Sequence, residues 1–172
     1  MTAEVGLLLA MLDQAYNRPS WHGTNLRGSI RRVSATHAAW RPAPKRHNIW
    51  EIVVHAAYWK YAAARRFTGD GRGSFPLKGS NWFGRPADRS QATEEAWRAD
   101  IDLLEQMHES LRNEVMRLSG GDLARTPAGK KVSNFALLSG IAAHDLYHAG
   151  QIQLLKRLAP PSRKASARSA VN

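Results

Sequence analysis

The sequence predicts an all-α protein: a four-helix bundle with long loops and one short additional helical turn. Apolar residues recur at helical spacing in four long segments, no alternating strand series competes with them, and Gly/Pro-rich stretches separate the segments. At 172 residues with 43% hydrophobic side chains, the chain is long enough for one domain with a substantial core.

Glu4 to Tyr16 forms the first helix, with Val5, Leu8, Leu9 and Leu12 on one face and Pro19 beyond its end. A short turn is expected within Leu26 to Val33. The Pro42 and Pro44 loop follows, since proline removes a backbone donor and restricts its predecessor. Asn48 is placed to cap the second long helix, with Glu51 at the reciprocal capping-box position, and the helix runs to Phe67 before Gly69. Such a helix would span roughly 30 Å at its characteristic rise per residue.

Residues Gly69 to Arg89 read as a connection carrying Trp82 and Phe83 among Gly71, Gly73, Pro76, Gly79, Gly84 and Pro86, a loop or a lid. The third long helix is expected from about Gln91 to Leu118, on the stripe Trp97, Ile101, Leu104, His108, Leu111, Val115 and Leu118, with Gly120 and Gly121 ending it. The fourth begins after a Ser133 cap and reaches Leu158, with Leu137, Ile141, His144, His148, Gln151 and Leu155 on a broad face. The bundle is expected to occupy residues 1–158, and residues 159–172, rich in small polar and basic side chains after Pro160 and Pro161, to form a flexible basic tail.

The chain has no cysteine, which excludes disulfides, thiolate–metal sites and a cysteine nucleophile. No nucleotide-binding glycine loop or haem motif is present. The early apolar run lacks a basic leader and a cleavage site, and nothing approaches a membrane-spanning length, so a cytoplasmic protein without a membrane partner is expected. Lys and Arg number 25 against 14 Asp and Glu, a net charge of +11. Between Asn17 and Trp50, Arg18, Arg27, Arg31, Arg32, Arg41, Lys45 and Arg46 occur with no acidic residue, which leaves open a basic protein or nucleic-acid interaction surface. No nucleic-acid module accompanies that segment, so ordinary solvated surface is the simpler account.

The chemistry concentrates in His144-Asp-Leu-Tyr-His148. An i,i+4 pair puts two imidazoles on one helical face, where they can chelate an ion or be satisfied separately by hydrogen bonds. His55, among Ile52, Val53, Ala56 and Trp59, can complete three ligands if the second and fourth helices meet, or can be a packed, hydrogen-bonded histidine.

The segments HNIWEIVVHAAYWKYAAARRFTG and HDLYHAGQIQLLKRL, with the early Trp21-His22-Gly23 and the aromatic middle loop, resemble the DinB-like superfamily of four-helix bundles. The resemblance covers about Glu4 to Leu158. It implies a three-histidine divalent-metal site, in which His55 matches the histidine of the second helix and His144 and His148 match the pair of the fourth. The superfamily includes metal-dependent hydrolases and thiol transferases, so the resemblance implies metal-assisted hydrolysis or transfer to a low-molecular-weight thiol on a small-molecule substrate.

Three neutral imidazoles leave a coordination position for water or a substrate atom. Imidazole nitrogen suits a divalent transition metal, with zinc or nickel expected first. His22, Glu51 and Gln151 are the candidate catalytic groups: a loop imidazole able to enter a cavity, a carboxylate four residues before His55, and an amide one turn after His148. Each has a structural alternative, which for Glu51 is the capping box. His108, Asp145, Tyr147 and Trp82 are secondary candidates. A non-catalytic metal staple and a homodimer also remain open.

Overall fold

A computed structural model describes residues 2–69, 73–86 and 88–160. Within them every regular element is helical: α1 (Ala3–Tyr16), α2 (Leu26–Ser29), α3 (Ala35–Ala39), α4 (Ile49–Thr68), a 3-10 turn (Arg89–Gln91), α5 (Glu94–Met116), α6 (Gly120–Ala124) and α7 (Asn134–Leu158). Residues 161–172, most of the expected tail, lie outside the described residues.

Each long helix starts where a side-chain oxygen satisfies an exposed amide: Thr2 for α1, Asn48 for α4, Thr93 for α5 and Ser133 for α7. Thr93 explains why α5 starts three residues later than expected. Gly120 and Gly121 do not merely end α5; they open α6, because Ser119 and Asp122 form a reciprocal capping box around them. The α4 helix ends at Gly69, whose φ of 75° is the left-handed conformation that glycine adopts without a Cβ clash.

The four long helices close a ring in which α4 packs on α5 and α7, and α1 packs on the same two from the opposite side. Two core clusters fix their directions. One joins the first halves of α4 and α5 (Trp50, Val53, Trp97, Leu104) to the end of α7 (Ile152, Leu155). The other joins the later parts of α4 and α5 (Ala63, Ala64, Leu111, Val115) to the start of α7 (Leu138, Ile141) and to α1. Thus α4 and α5 run parallel, and the chain between them must travel back along the bundle, the crossover connection of some four-helix folds.

That requirement accounts for the long Gly/Pro-rich loop. Going from α4 toward α5, the strap meets α4 in reverse order: Ser74 bonds Tyr61, Asn81 bonds Trp59 and His55, and the carbonyl of Arg85 accepts from Asn48 at the start of the helix. Arg85 then bonds Asp100 of α5, which also accepts from the buried Trp50 indole at 2.6 Å. Phe75 and Phe83 anchor the strap in the core at 7% exposure each.

Candidate metal centre

The strap, α4 and α7 supply the walls of the site. His55 comes from the middle of α4, and His144 and His148 come from successive turns of α7, so the expected helix pair does meet. The His144 Nε2 lies 3.1 Å from His55 Nε2 and 3.0 Å from His148 Nε2, and these three residues could hold a metal ion.

Their outer nitrogens fix the tautomers. The Nδ1 of His55 lies 2.9 Å from the Asn81 carbonyl, an oxygen that only accepts, so Nδ1 carries the proton and Nε2 presents a lone pair. The Nδ1 of His148 similarly donates to Gln151 Oε1 at 2.7 Å, which leaves its Nε2 as a second inward lone pair. Asn81 has a φ of 64°, a left-handed conformation that asparagine tolerates better than most side chains, and its own amide oxygen accepts from Trp59.

A neutral His144 has one proton for two inward contacts, and its buried Nδ1 has no partner among the described residues. If that proton sits on Nε2, it serves two acceptors at once and Nδ1 is an unsatisfied acceptor. If it sits on Nδ1, three lone pairs face one another. A cation shared by the three Nε2 atoms removes that repulsion, and the donor set fits one: tetrahedral bonds of about 2.0–2.1 Å require nitrogens roughly 3.3 Å apart. A shift of a few tenths of an ångström, on the order of the slack in such sites, opens the cluster enough.

Burial keeps the rings neutral, the form that can ligate. It pushes the His144 imidazole down to about 3, with His148 and His55 adding like charge. It also pushes His148 down to about 4 against the opposing hydrogen bond to Gln151, and it lowers His55 against the bond to Asn81. Trp82 covers the cluster from the strap, stacked on His55 with ring centroids 3.8 Å apart and on His47 at 3.6 Å.

The other expected site residues are placed differently. Glu51 accepts two hydrogen bonds from Arg41, at 2.5 and 2.8 Å, and contacts His47 Nδ1 at 3.0 Å. Its carboxylate therefore does not fold back onto the Asn48 amide; only the Asn48 half of the expected capping box forms. The Arg41 guanidinium and His47 hold the Glu51 carboxyl below its usual range, against burial. His22 is exposed in the turn before α2 and takes part in none of the hydrogen bonds or ring contacts that join the cluster.

His108 is 3% exposed and stacks on Tyr16, outside the three-histidine group. Asp145, turned away from the cluster as helical geometry requires, is wholly buried against Lys60 of α4. Lys60, His47 and Asn81 were not legible as site components: Lys60 reads as a solvated helix residue, and Asn81 acts through its backbone carbonyl, which no side-chain motif reports.

Beside the cluster lies a cavity of about 620 Å³ that His148 and Gln151 line together with Trp82, Tyr147 and Leu154. No helix among the described residues is long and apolar enough to cross a membrane. The sequence model of the DinB superfamily matches residues 20–152, a span that contains all three histidines. No curated protein and no solved structure matches the chain.

Proposed function

The chain belongs to the DinB superfamily, and from that premise we propose that it is a divalent-metal-dependent enzyme, either a hydrolase or a thiol transferase acting on a small molecule. The observation that carries the proposal is the convergence of three neutral Nε2 atoms from α4 and α7, with contacts of 3.0 and 3.1 Å and one proton too few for mutual hydrogen bonding. In this reading His55, His144 and His148 hold the ion, and zinc or nickel suits three imidazoles best.

A bound divalent ion supplies a Lewis acid that polarises a substrate atom or acidifies a water or a thiol. The protein supplies orientation and shielding. Asn81 and Gln151 aim two of the rings through their Nδ1 protons, the outer-sphere contacts that raise ligand basicity and fix ring rotation. The face of Trp82 excludes water from His55. Gln151 Oε1 is engaged by His148, and its amide N–H donors, which have no partner among the described residues, are available to a molecule in the cavity. Gln151 is accordingly a positioning residue with a second, substrate-facing role. Glu51 acts less directly, by fixing His47 under Trp82. The exposed imidazole of His22 would have to reach the site through movement of its turn.

Elemental analysis of the purified chain, followed by metal-controlled thiol-transfer, esterase and amidase assays, tests this function. About one divalent ion per chain and a turnover lost on chelation and in His144→Ala are the expected results. Turnover that survives complete metal removal would sink the metal-dependent mechanism; metal without turnover would leave a staple that joins α4 to α7.

A second reading draws on the open cavity of about 860 Å³ lined by Arg27, Arg31, Arg32 and Lys156, which carries no carboxylate on its wall among the described residues. A basic interaction surface there predicts salt-sensitive binding of duplex DNA or RNA that persists without residues 159–172. Absence of such binding at low salt would dismiss it.

A further inference from the structure

The cavity beside His148 has a chemical bias of its own. Its wall is mostly apolar: Pro42, Ile52, Trp82, Tyr147, Leu154 and Leu155. Three of these are large side chains left substantially open, Tyr147 at 64%, Leu154 at 58% and Trp82 at 36% exposure. Exposed apolar surface gathered into a concavity beside converging polar groups is the usual build of a small-molecule site.

Its electrostatics are one-sided. Among the described residues Arg46 is the one permanent charge on the wall, and no Asp or Glu lines the cavity. The neighbouring guanidinium, Arg41, is already neutralised by Glu51, whereas no carboxylate among the described residues pairs with Arg46. Gln151, whose Oε1 is engaged by His148 and whose amide donors have no partner among the described residues, lines the same space beside the histidine cluster.

We propose that this cavity selects small amphiphilic anions, an apolar body seated against Trp82 and Leu154 with a carboxylate or other compact anionic group toward Arg46, so that the remainder of the molecule reaches Gln151 and the His148 edge of the cluster. Burial of the apolar body supplies most of the attraction. The guanidinium supplies the preference for an anion, through a charge-assisted hydrogen bond that a neutral group cannot match. As the substrate class of the proposed enzyme this inference rests on the metal-site reading; as a binding property it does not, because neither Arg46 nor Leu154 touches the ion-holding nitrogens.

Isothermal titration calorimetry of the full chain with 2-naphthoate, 2-naphthyl phosphate and the neutral 2-naphthylmethanol tests the inference, each run as purified and after chelation. The anions should bind about tenfold more tightly than the alcohol, a gap expected of one charge-assisted hydrogen bond. Arg46→Gln should erase that gap, and Leu154→Ser should weaken all three probes severalfold; both positions are exposed, so the fold is retained. The order of naphthoate and naphthyl phosphate then identifies the preferred anion.

Equal affinity for the alcohol and the anions, or an anion preference that survives Arg46→Gln, would overturn the proposal. So would a dimer in sedimentation that Leu154→Ser dissociates while no probe binds, since the cavity would then be covered by a second copy. A chain that lacks metal and turnover but keeps the Arg46-dependent preference would defeat the enzyme reading alone; metal and turnover without that preference would defeat this inference alone.

Discussion

Lys60 of α4 and Asp145 of α7 form an ion pair with no solvent contact, Lys60 Nζ donating to Asp145 Oδ2. Asp145 directly follows His144, and Lys60 lies little more than one turn beyond His55, so the pair joins the two helices that carry the histidine cluster beside the cluster itself. Burial pushes the Asp145 carboxyl up and the Lys60 ammonium opposes it. The Lys60 ammonium also lies over the Tyr16 ring, 4.9 Å from its centroid, which ties α1 to the same point.

Removing one member of that pair should cost far more than removing both. Lys60→Met leaves a buried carboxylate without compensation and should destabilise the chain by about 3–5 kcal/mol. The double substitution Lys60→Met with Asp145→Leu should recover most of the loss, since an apolar pair of similar volume fills the same space. Urea unfolding of the two variants checks this, and a double variant no more stable than the single one would show that the pair contributes through its ionic contact.

The tautomer argument at His148 predicts a measurable role for Gln151. Gln151→Leu removes the acceptor that fixes the Nδ1 proton and should weaken zinc affinity by about 10- to 100-fold, the usual cost of losing an outer-sphere partner. Circular dichroism should be unchanged. Competition with a chromophoric chelator measures the shift, and unchanged affinity would remove Gln151 from the positioning set.

Each of His55→Ala, His144→Ala and His148→Ala should lower metal occupancy, as elemental analysis would detect. Chelation should also lower the thermal midpoint of the unsubstituted chain, because an ion bound only by the native state adds stability by mass action. Full occupancy in any one variant excludes that histidine as a ligand.

His108 sets an acid sensitivity that is separate from the metal. Burial, with Lys60 and Arg112 adding positive charge, pushes this imidazole down to about 3, so its 3.8 Å approach to Asp13 is not an ion pair near neutral pH. In the unfolded chain the group takes up a proton as pH falls through about 6.5, whereas in the folded chain it stays neutral. Stability is therefore lost as pH falls below that value, by about 1.4 kcal/mol per pH unit from this group alone until the folded pKa is reached. His108→Gln removes the term. The difference in unfolding free energy between the unsubstituted chain and the variant should shrink steadily from pH 6.5 to 4.5; a difference independent of pH would show that His108 takes up its proton in the fold as readily as in the unfolded chain.

Trp82 should report on the cluster directly. Its stacking on His55 places the imidazole protons in the shielding region of the indole, so Trp82→Leu should move the His55 ring resonances downfield in proton NMR spectra. Unmoved resonances would mean that the strap does not lie over the site in solution.

The helices and their order were legible in the chain because the period of apolar residues and the capping side chains Asn48 and Ser133 are local signals. The i,i+4 pair His144 and His148 was legible for the same reason, as one helix fixes their relative position. Short-range rules failed where a residue's partner is distant. Glu51, four residues before His55, reads as a cap, yet Arg41 and His47 compete for its carboxylate and win because charge-assisted bonds are stronger than the neutral one to a backbone amide. Leu138 is the fully buried leucine at the start of α7, while Leu137 packs partly buried against the same cluster, since a broad apolar face on α7 leaves its rotation to be set by α1 and α4.

What the sequence determined by itself was a helical bundle with a histidine pair one turn apart and a third histidine on another apolar helix. Whether His55 meets that pair, and which of its nitrogens points inward, was decided by the parallel run of α4 and α5. That arrangement sends the connecting strap back along α4 and brings the Asn81 carbonyl and the Trp82 face onto the His55 ring. Contacts between residues far apart in the chain depend on how whole helices pack, and helix packing minimises exposed apolar surface across the entire bundle, a quantity that no local stretch of sequence contains.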